Sequence, residues 1–199
     1  MIAIPESQSI TPEDYLKWEE KQPLKYEYIE GQVFAMTGGS IPHNDIAVNL
    51  TTILKNHLRG KGCKISMADA KLGVSEAGPF YYPDVMVTCD ETDQRATKVI
   101  YHPCLIVEVL SPGTEAVDRG KKFQNYRRIS SLKEYVLIET RQIFVEIFRK
   151  NQQGIWELYN YGEGDDINLT TVELSFPIEM LYEDVILEGI LNTDNKISI

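Results

Sequence analysis

Two short apolar runs, each carrying one carboxylate, constrain this chain more than any other feature. They are Tyr81-Tyr82-Pro83-Asp84-Val85-Met86-Val87-Thr88-Cys89 and Cys104-Leu105-Ile106-Val107-Glu108-Val109-Leu110. Runs of this length and β-branched content read as buried strands of a central sheet. An ionised carboxylate inside one costs several kcal/mol unless a cation or hydrogen bonds compensate it. Strand alternation puts Tyr82, Asp84, Met86 and Thr88 on one face, and Ile106, Glu108 and Leu110 on one face of the other run. If the strands are neighbours, both acids converge on one point, where a hard divalent cation such as Mg2+ suits their oxygens. The blander readings are a strand-edge aspartate and a buried ion-pair partner.

The rest of the chain supplies companions. Asp118 and Lys122 stand four apart on an expected helix, Glu115 to Ile129, as either a surface pair or a lysine reaching the two acids. Tyr126 shares that helix face. His43 heads a second helix that begins near Pro42, with Ile46, Leu50, Ile53, Leu54 and Leu58 at helical spacing. Glu27 lies in an expected hairpin, Lys25–Ile29 and Gln32–Met36 around Glu30-Gly31, and Asp69 is a weaker candidate. Thr11-Pro12-Glu13-Asp14 marks the start of a first helix. Further strands are expected at Cys63–Val74, Glu134–Glu139, Ile143–Arg149 and Ile155–Tyr159. The order of elements predicts a mixed α/β fold with one central sheet flanked by helices.

Composition bounds the partners. With 199 residues the chain has one domain's length, and its 43% apolar and 25% charged content is that of a globular protein. No stretch is long and apolar enough for a membrane span. The three cysteines, Cys63, Cys89 and Cys104, are scattered, and are expected to be reduced core thiols of a cytoplasmic protein. A net charge of −10 argues against nucleic acid at first sight, but nine acids and one lysine after residue 159 account for −8 of it. The segment Asp118–Arg128 carries five basic residues against one acid, a run that could meet phosphates or simply be solvated.

Tyr26-Glu27-Tyr28-Ile29-Glu30-Gly31, His43-Asn44, Tyr82-Pro83-Asp84-Val85, Val107-Glu108-Val109-Leu110-Ser111-Pro112, Thr114, Asp118-Arg119, Lys122, Tyr126 and Glu134-Tyr135 occur in an order and spacing that resembles the Uma family of putative restriction endonucleases, part of the PD-(D/E)xK nuclease superfamily. The resemblance covers about residues 11 to 160. It implies a restriction-endonuclease-like core of α/β class with an N-terminal helix and β-hairpin, within a single domain 1–199 whose acidic end, 161–199, is an appendage. It also implies Mg2+ (or Mn2+) held by Asp84 and Glu108 with Glu27 completing the shell, DNA as substrate with RNA an alternative, and a possible homodimer. Where the superfamily pattern has lysine two residues after the second acid, this chain has Leu110. Lys122 is the natural replacement, with Asp118, His43 and Tyr126 in support. A nuclease fold that binds nucleic acid or a protein without cutting is the rival expectation.

Overall fold

The computed structural model describes residues 2–3, 9–36 and 38–187. Strand β1 (Ile2–Ala3) precedes helix α1 (Pro12–Glu19), whose first turn is closed by Thr11 Oγ1 accepting from Asp14 N at 3.2 Å. The hairpin β2 (Tyr26–Ile29) and β3 (Gln32–Ala35) turns through Glu30 and Gly31, both at positive φ (52° and 87°), the twist-matched geometry of a two-residue connection. Helix α2 (Ile41–Leu58) starts at Ser40, whose hydroxyl accepts from His43 N, and so carries His43 in its first turn.

Strands β4 (Lys64–Met67), β5 (Lys71–Gly73), β6 (Phe80–Tyr81) and β7 (Val85–Thr88) follow, then the short helix α3 (Glu91–Gln94), β8 (Val99–Ile100) and β9 (Leu105–Val109). The next helical piece runs as α4 (Glu115–Val117), a π-helical turn Asp118–Lys122, and α5 (Phe123–Tyr126). Strands β10 (Glu134–Ile138), β11 (Phe144–Lys150), β12 (Trp156–Gly162), β13 (Asp166–Leu169) and β14 (Leu174–Pro177) are the last among the described residues, with 3₁₀ turns at Thr170–Val172 and Ile178–Leu181.

The central sheet is mixed, in the order β12-β11-β10-β9-β7-β4, with β9 and β10 parallel and its other pairs antiparallel. One face is covered by α2 and by the chain after residue 166: Val85, Val87, Val107 and Val109 pack with Leu50, Leu54, Ile167, Phe176 and Ile178. The other face, with Met86, Ile106, Tyr135 and Leu137, packs against Tyr126, Ile129 and Leu132 of the second helical region. The class is thus the expected mixed α/β arrangement of sheets flanked by helices.

A single central sheet was too simple an expectation. A second sheet, β1-β3-β2-β6-β5-β8, takes the hairpin and half of two expected strands. The run Cys63–Val74 breaks at a turn closed by Ala70 N donating to Met67 O (2.8 Å), so β4 joins one sheet and β5 the other. The run Tyr81–Cys89 breaks at Tyr82-Pro83-Asp84, where proline lacks a ladder donor, so Asp84 sits in a bend before β7 and not within it.

The cysteine expectation also needs correcting. Cys63 and Cys89 form a disulfide, because Lys64 pairs with Thr88 and the next residues out are therefore opposite each other, with Cα atoms 4.1 Å apart. Only Cys104 is a free thiol. Sequence separation concealed a contact that strand register creates.

Candidate functional site

Sheet register brings the two acids together. Antiparallel pairing of Val85 with Val107 sets Asp84, one residue out from β7, beside Glu108 of β9. Asp84 Oδ2 accepts from Val109 N at 2.8 Å, which ties the bend to the end of β9. Glu27 arrives from β2 of the second sheet, and its Oε1 accepts from Tyr82 N at 3.4 Å. The π-helical turn supplies Asp118 and Lys122. Such turns insert one extra residue into a helix and recur at functional positions.

Lys122 Nζ is the centre of the cluster. It lies 3.0 Å from Glu108 Oε1, 3.0 Å from Asp118 Oδ1 and 3.5 Å from Glu27 Oε1, and all four side chains are almost wholly buried. The surface-pair reading of Asp118 and Lys122 is therefore excluded. Tyr126 Oη donates to Glu108 Oε1 at 2.8 Å, and Tyr135 Oη donates to the Asp118 carbonyl at 3.0 Å. His43 Nε2 lies 3.2 Å from Asp84 Oδ2. Glu27, His43, Asp84, Glu108, Asp118 and Lys122 all line one cleft of about 510 Å3. Asp69 lies on its rim, exposed and paired with Lys25.

The electrostatics follow from acids that outnumber their cation in a dry setting. Burial raises the Glu108 carboxyl well above its ordinary range, opposed by Lys122 and reinforced by Asp118, Asp84 and Glu27. Glu27 is raised in the same way, burial first. Burial would lower Lys122, but the charges of Glu108, Glu27 and Asp118 prevail and hold it well above 10.5. His43 shows the same contest: desolvation lowers it, yet the hydrogen bond and charge of Asp84 carry it above 6.5. Glu27 Oε2 is buried with no hydrogen-bond partner among the described residues. Asp118 Oδ1 also lacks an aligned hydrogen bond and is met only by the charge of Lys122. Four carboxylates offering hard oxygens, with one buried oxygen unspent, are a donor set that fits a divalent cation.

Part of the surroundings was not foreseen from sequence. Tyr82 Oη donates to Glu19 Oε1 (2.6 Å), Glu19 pairs with Lys71 (2.8 Å), and both charges are buried. This pair anchors α1 behind the Tyr82-Pro83-Asp84 bend. Asn125 Nδ2 donates to Tyr81 Oη at 2.7 Å and closes the floor beneath Lys122. Two adjacent tyrosines before the proline were the available signal, since buried phenols need polar partners.

The basic run after Asp118 is mostly engaged in the protein itself. Arg119 binds Glu115, Glu139 and Glu146, Lys121 binds Glu30, and Arg127 stacks on Phe123. A separate carboxylate–histidine group, Asp90, Asp93 and His102, lies at the far end of β7. Asp93 there accepts from Thr88 Oγ1, Tyr101 N and His102 N, and Asp90 caps α3, so this group clamps a loop. His57 contacts the Val172 carbonyl (2.9 Å), away from the cleft. No helix among the described residues is long and apolar enough to cross a membrane.

Comparison with known proteins gives a consistent answer. A family model described as "Uma2: Putative restriction endonuclease" matches residues 12–180. Two uncharacterised proteins of Synechocystis sp. (strain ATCC 27184 / PCC 6803 / Kazusa) are similar: slr1290 is 43% identical over 173 residues, covering 87% of this chain and 91% of its own. The other, sll1609, is 32% identical over 178 residues, covering 87% and 100%. Among solved structures, a crystal structure from Anabaena variabilis ATCC 29413, described as a putative nuclease belonging to DUF820, shares the fold. Its TM-score is 0.72 at 17% identity, over 89% of this chain and 99% of that one. With a family model spanning the second sheet apart from β1, the cleft and most of the C-terminal packing, this chain belongs to the Uma2 family of putative restriction endonucleases.

Proposed function

We propose that this protein is a magnesium-dependent endonuclease that hydrolyses phosphodiester bonds of DNA. The observation that carries the reading is the convergence of Glu27, Asp84, Glu108 and Asp118 on one cleft around a single buried ammonium, Lys122. Asp84 and Glu108 would hold the ion, and the unspent oxygen of Glu27 would complete the protein's share of its shell. When bound, Mg2+ (or Mn2+) supplies Lewis-acid polarisation of the phosphate and a more acidic water.

The chain's own groups do the remaining work. Lys122 is held as an ammonium, so it acts as a donor toward a phosphate oxygen or the attacking water, and not as a base. Asp118 positions it from one turn away, and Tyr126 fixes the Glu108 oxygen that Lys122 also meets. His43, whose protonated form Asp84 favours, faces the cleft as a second donor to the phosphate. Burial of the acids keeps bulk water from screening these charges.

The test is incubation of pure protein with supercoiled and single-stranded DNA, and with RNA, in Mg2+ or Mn2+. Nicking that vanishes in Asp84→Ala and Glu108→Ala is expected; cleavage unchanged in both overturns the assignment. The capture of Lys122 by three carboxylates favours a second reading, a nuclease fold that grips DNA without cutting it. That reading predicts salt-sensitive binding with no metal-dependent cleavage.

A further inference from the structure

The carboxylate cleft does not end at its own walls. A second groove of about 600 Å3 shares Met67, Ala68 and Asp69 with it and continues along β4 toward the 96–100 segment. Its two sides are the outer strands of different sheets: β4 ends the central sheet and β8 ends the second one. Small side chains, Ser66, Ala68, Ala70 and Ala96, line its floor, so a bulky chain can come close to backbone.

The lining of this groove is basic where the chain as a whole is acidic. The chain carries −10 overall, yet Lys64, Lys71 and Lys98 line the groove against one acid, Asp69. Lys64 is exposed and makes no ion pair among the described residues. Lys98 holds Glu20 at 2.5 Å, an exposed pair that yields easily to a stronger anion. Lys71 is already spent on Glu19 and belongs to the floor. Lys25 covers Asp69 at the junction, which quiets the one acid in the path.

We infer that this groove is the track for the nucleic-acid strand flanking the scissile phosphate, with Lys64 and Lys98 as its phosphate contacts. The inference rests on the proposed nuclease activity of the adjoining cleft. Strand β4 spans about 10 Å, and a stacked strand advances about 3.4 Å per nucleotide. Lys64 therefore meets the backbone about three nucleotides beyond the junction at Met67.

The experiment compares wild type, Lys64→Glu, Lys98→Glu, the milder Lys98→Ala, and Lys133→Glu as an exposed lysine outside both grooves. Cleavage kinetics in Mg2+ and fluorescence anisotropy of a labelled DNA across a salt series are read for each. The expected result is a KM raised about tenfold with kcat kept in the groove variants. The slope of log Kd against log salt should also fall by about 1 per lysine lost. A wild type that cuts, with groove variants indistinguishable from Lys133→Glu, overturns the track and leaves the cleft's activity standing. A wild type that neither cuts nor binds DNA overturns the nuclease reading, and the track with it.

Discussion

Lys122 is the side chain on which the site turns, because one ammonium serves three buried carboxylates. Neutralising an acid and neutralising the cation should therefore have opposite effects on stability. Glu27 has its carboxyl raised above 4.5, so the unfolded chain ionises first. Its cost to stability is absent below about pH 4.5, grows as pH rises toward the folded pKa, and is complete above it. Glu27→Gln is expected to raise the melting temperature of metal-free protein at pH 8 and to leave it unchanged at pH 4. A fall at pH 8 would mean that Lys122 needs all three acids. Lys122→Met strands those acids and should cost about 3–5 kcal/mol in urea unfolding at neutral pH. His43 has the other sign: its folded pKa lies above 6.5, so the stability drawn from Asp84 is full below pH 6.5 and lost as pH rises through the folded value. In EDTA, His43→Gln should be destabilising at pH 6 and near wild type at pH 9, and a difference flat across that range contradicts the pairing. Asp84 and Glu108 were readable as candidates because a charge inside an apolar run demands a partner, and Glu27, His43, Asp118, Lys122 and Tyr126 by their helix or hairpin placement and by the family resemblance. Lys122 reaching the acids was one of the expected readings; that Glu27 shares the ammonium with Glu108 and Asp118 was not, since no spacing rule says which of several carboxylates a lysine meets in space.

The π-helical turn is what aims Lys122. Asp118 to Lys122 keeps the four-residue ion pair, while the extra residue shifts everything after it around the axis relative to α4. Deleting Gly120, which sits inside the turn and has no side chain to lose, restores ordinary helical phase. One residue fewer rotates Lys122 by about 100°. The deletion is expected to keep a cooperative thermal transition while lowering cleavage about a hundredfold or more. Activity retained in a folded deletion variant would show that the lysine is not needed where it stands. Sequence could not reveal this turn, because α and π segments carry nearly the same apolar pattern over five residues. The division of Cys63–Val74 and Tyr81–Cys89 between two sheets was hidden for a related reason. Alternation reports which side is buried, and is silent on which sheet provides the cover. Pro83 was the one local cue that Asp84 precedes a strand and does not lie inside it.

The acidic end of the chain closes the central sheet in place of a second long helix. Ile167, Leu169, Val172, Leu174, Phe176, Ile178 and Leu181 are buried against α2 and strands β7, β9, β10 and β11. Among the described residues its acids lie on the outside, where an alternating strand such as β13 puts Asp166 and Asn168. A strand near Glu173–Phe176 and a short helix near Ile178–Glu183 were legible as packing elements and correspond to β14 and the turn Ile178–Leu181, whereas β13 was not legible, since a four-residue strand between acids gives a weak periodic signal. The segment is pinned at Glu134, a fully buried acid that accepts from Arg149 Nε (2.7 Å), Thr170 N (3.2 Å), Thr170 Oγ1 (3.0 Å) and Thr171 N (2.9 Å). Fully burying each of those apolar side chains is worth about 1.5–3 kcal/mol, and seven together rival the 5–15 kcal/mol by which a whole domain is stable. We therefore expect that a chain ended after Gly162, although it retains every carboxylate of the cleft, shows no cooperative transition in urea or heat. Glu134→Ala in the full chain should cost about 3–5 kcal/mol by unpairing Arg149 and the Thr170–Thr171 amides. A truncated chain that still melts cooperatively and still cuts DNA would restore residue 160 as the functional boundary. If both predictions hold, the strands that carry Asp84 and Glu108 depend on the acidic end for one of their two faces, and the site cannot be detached from it.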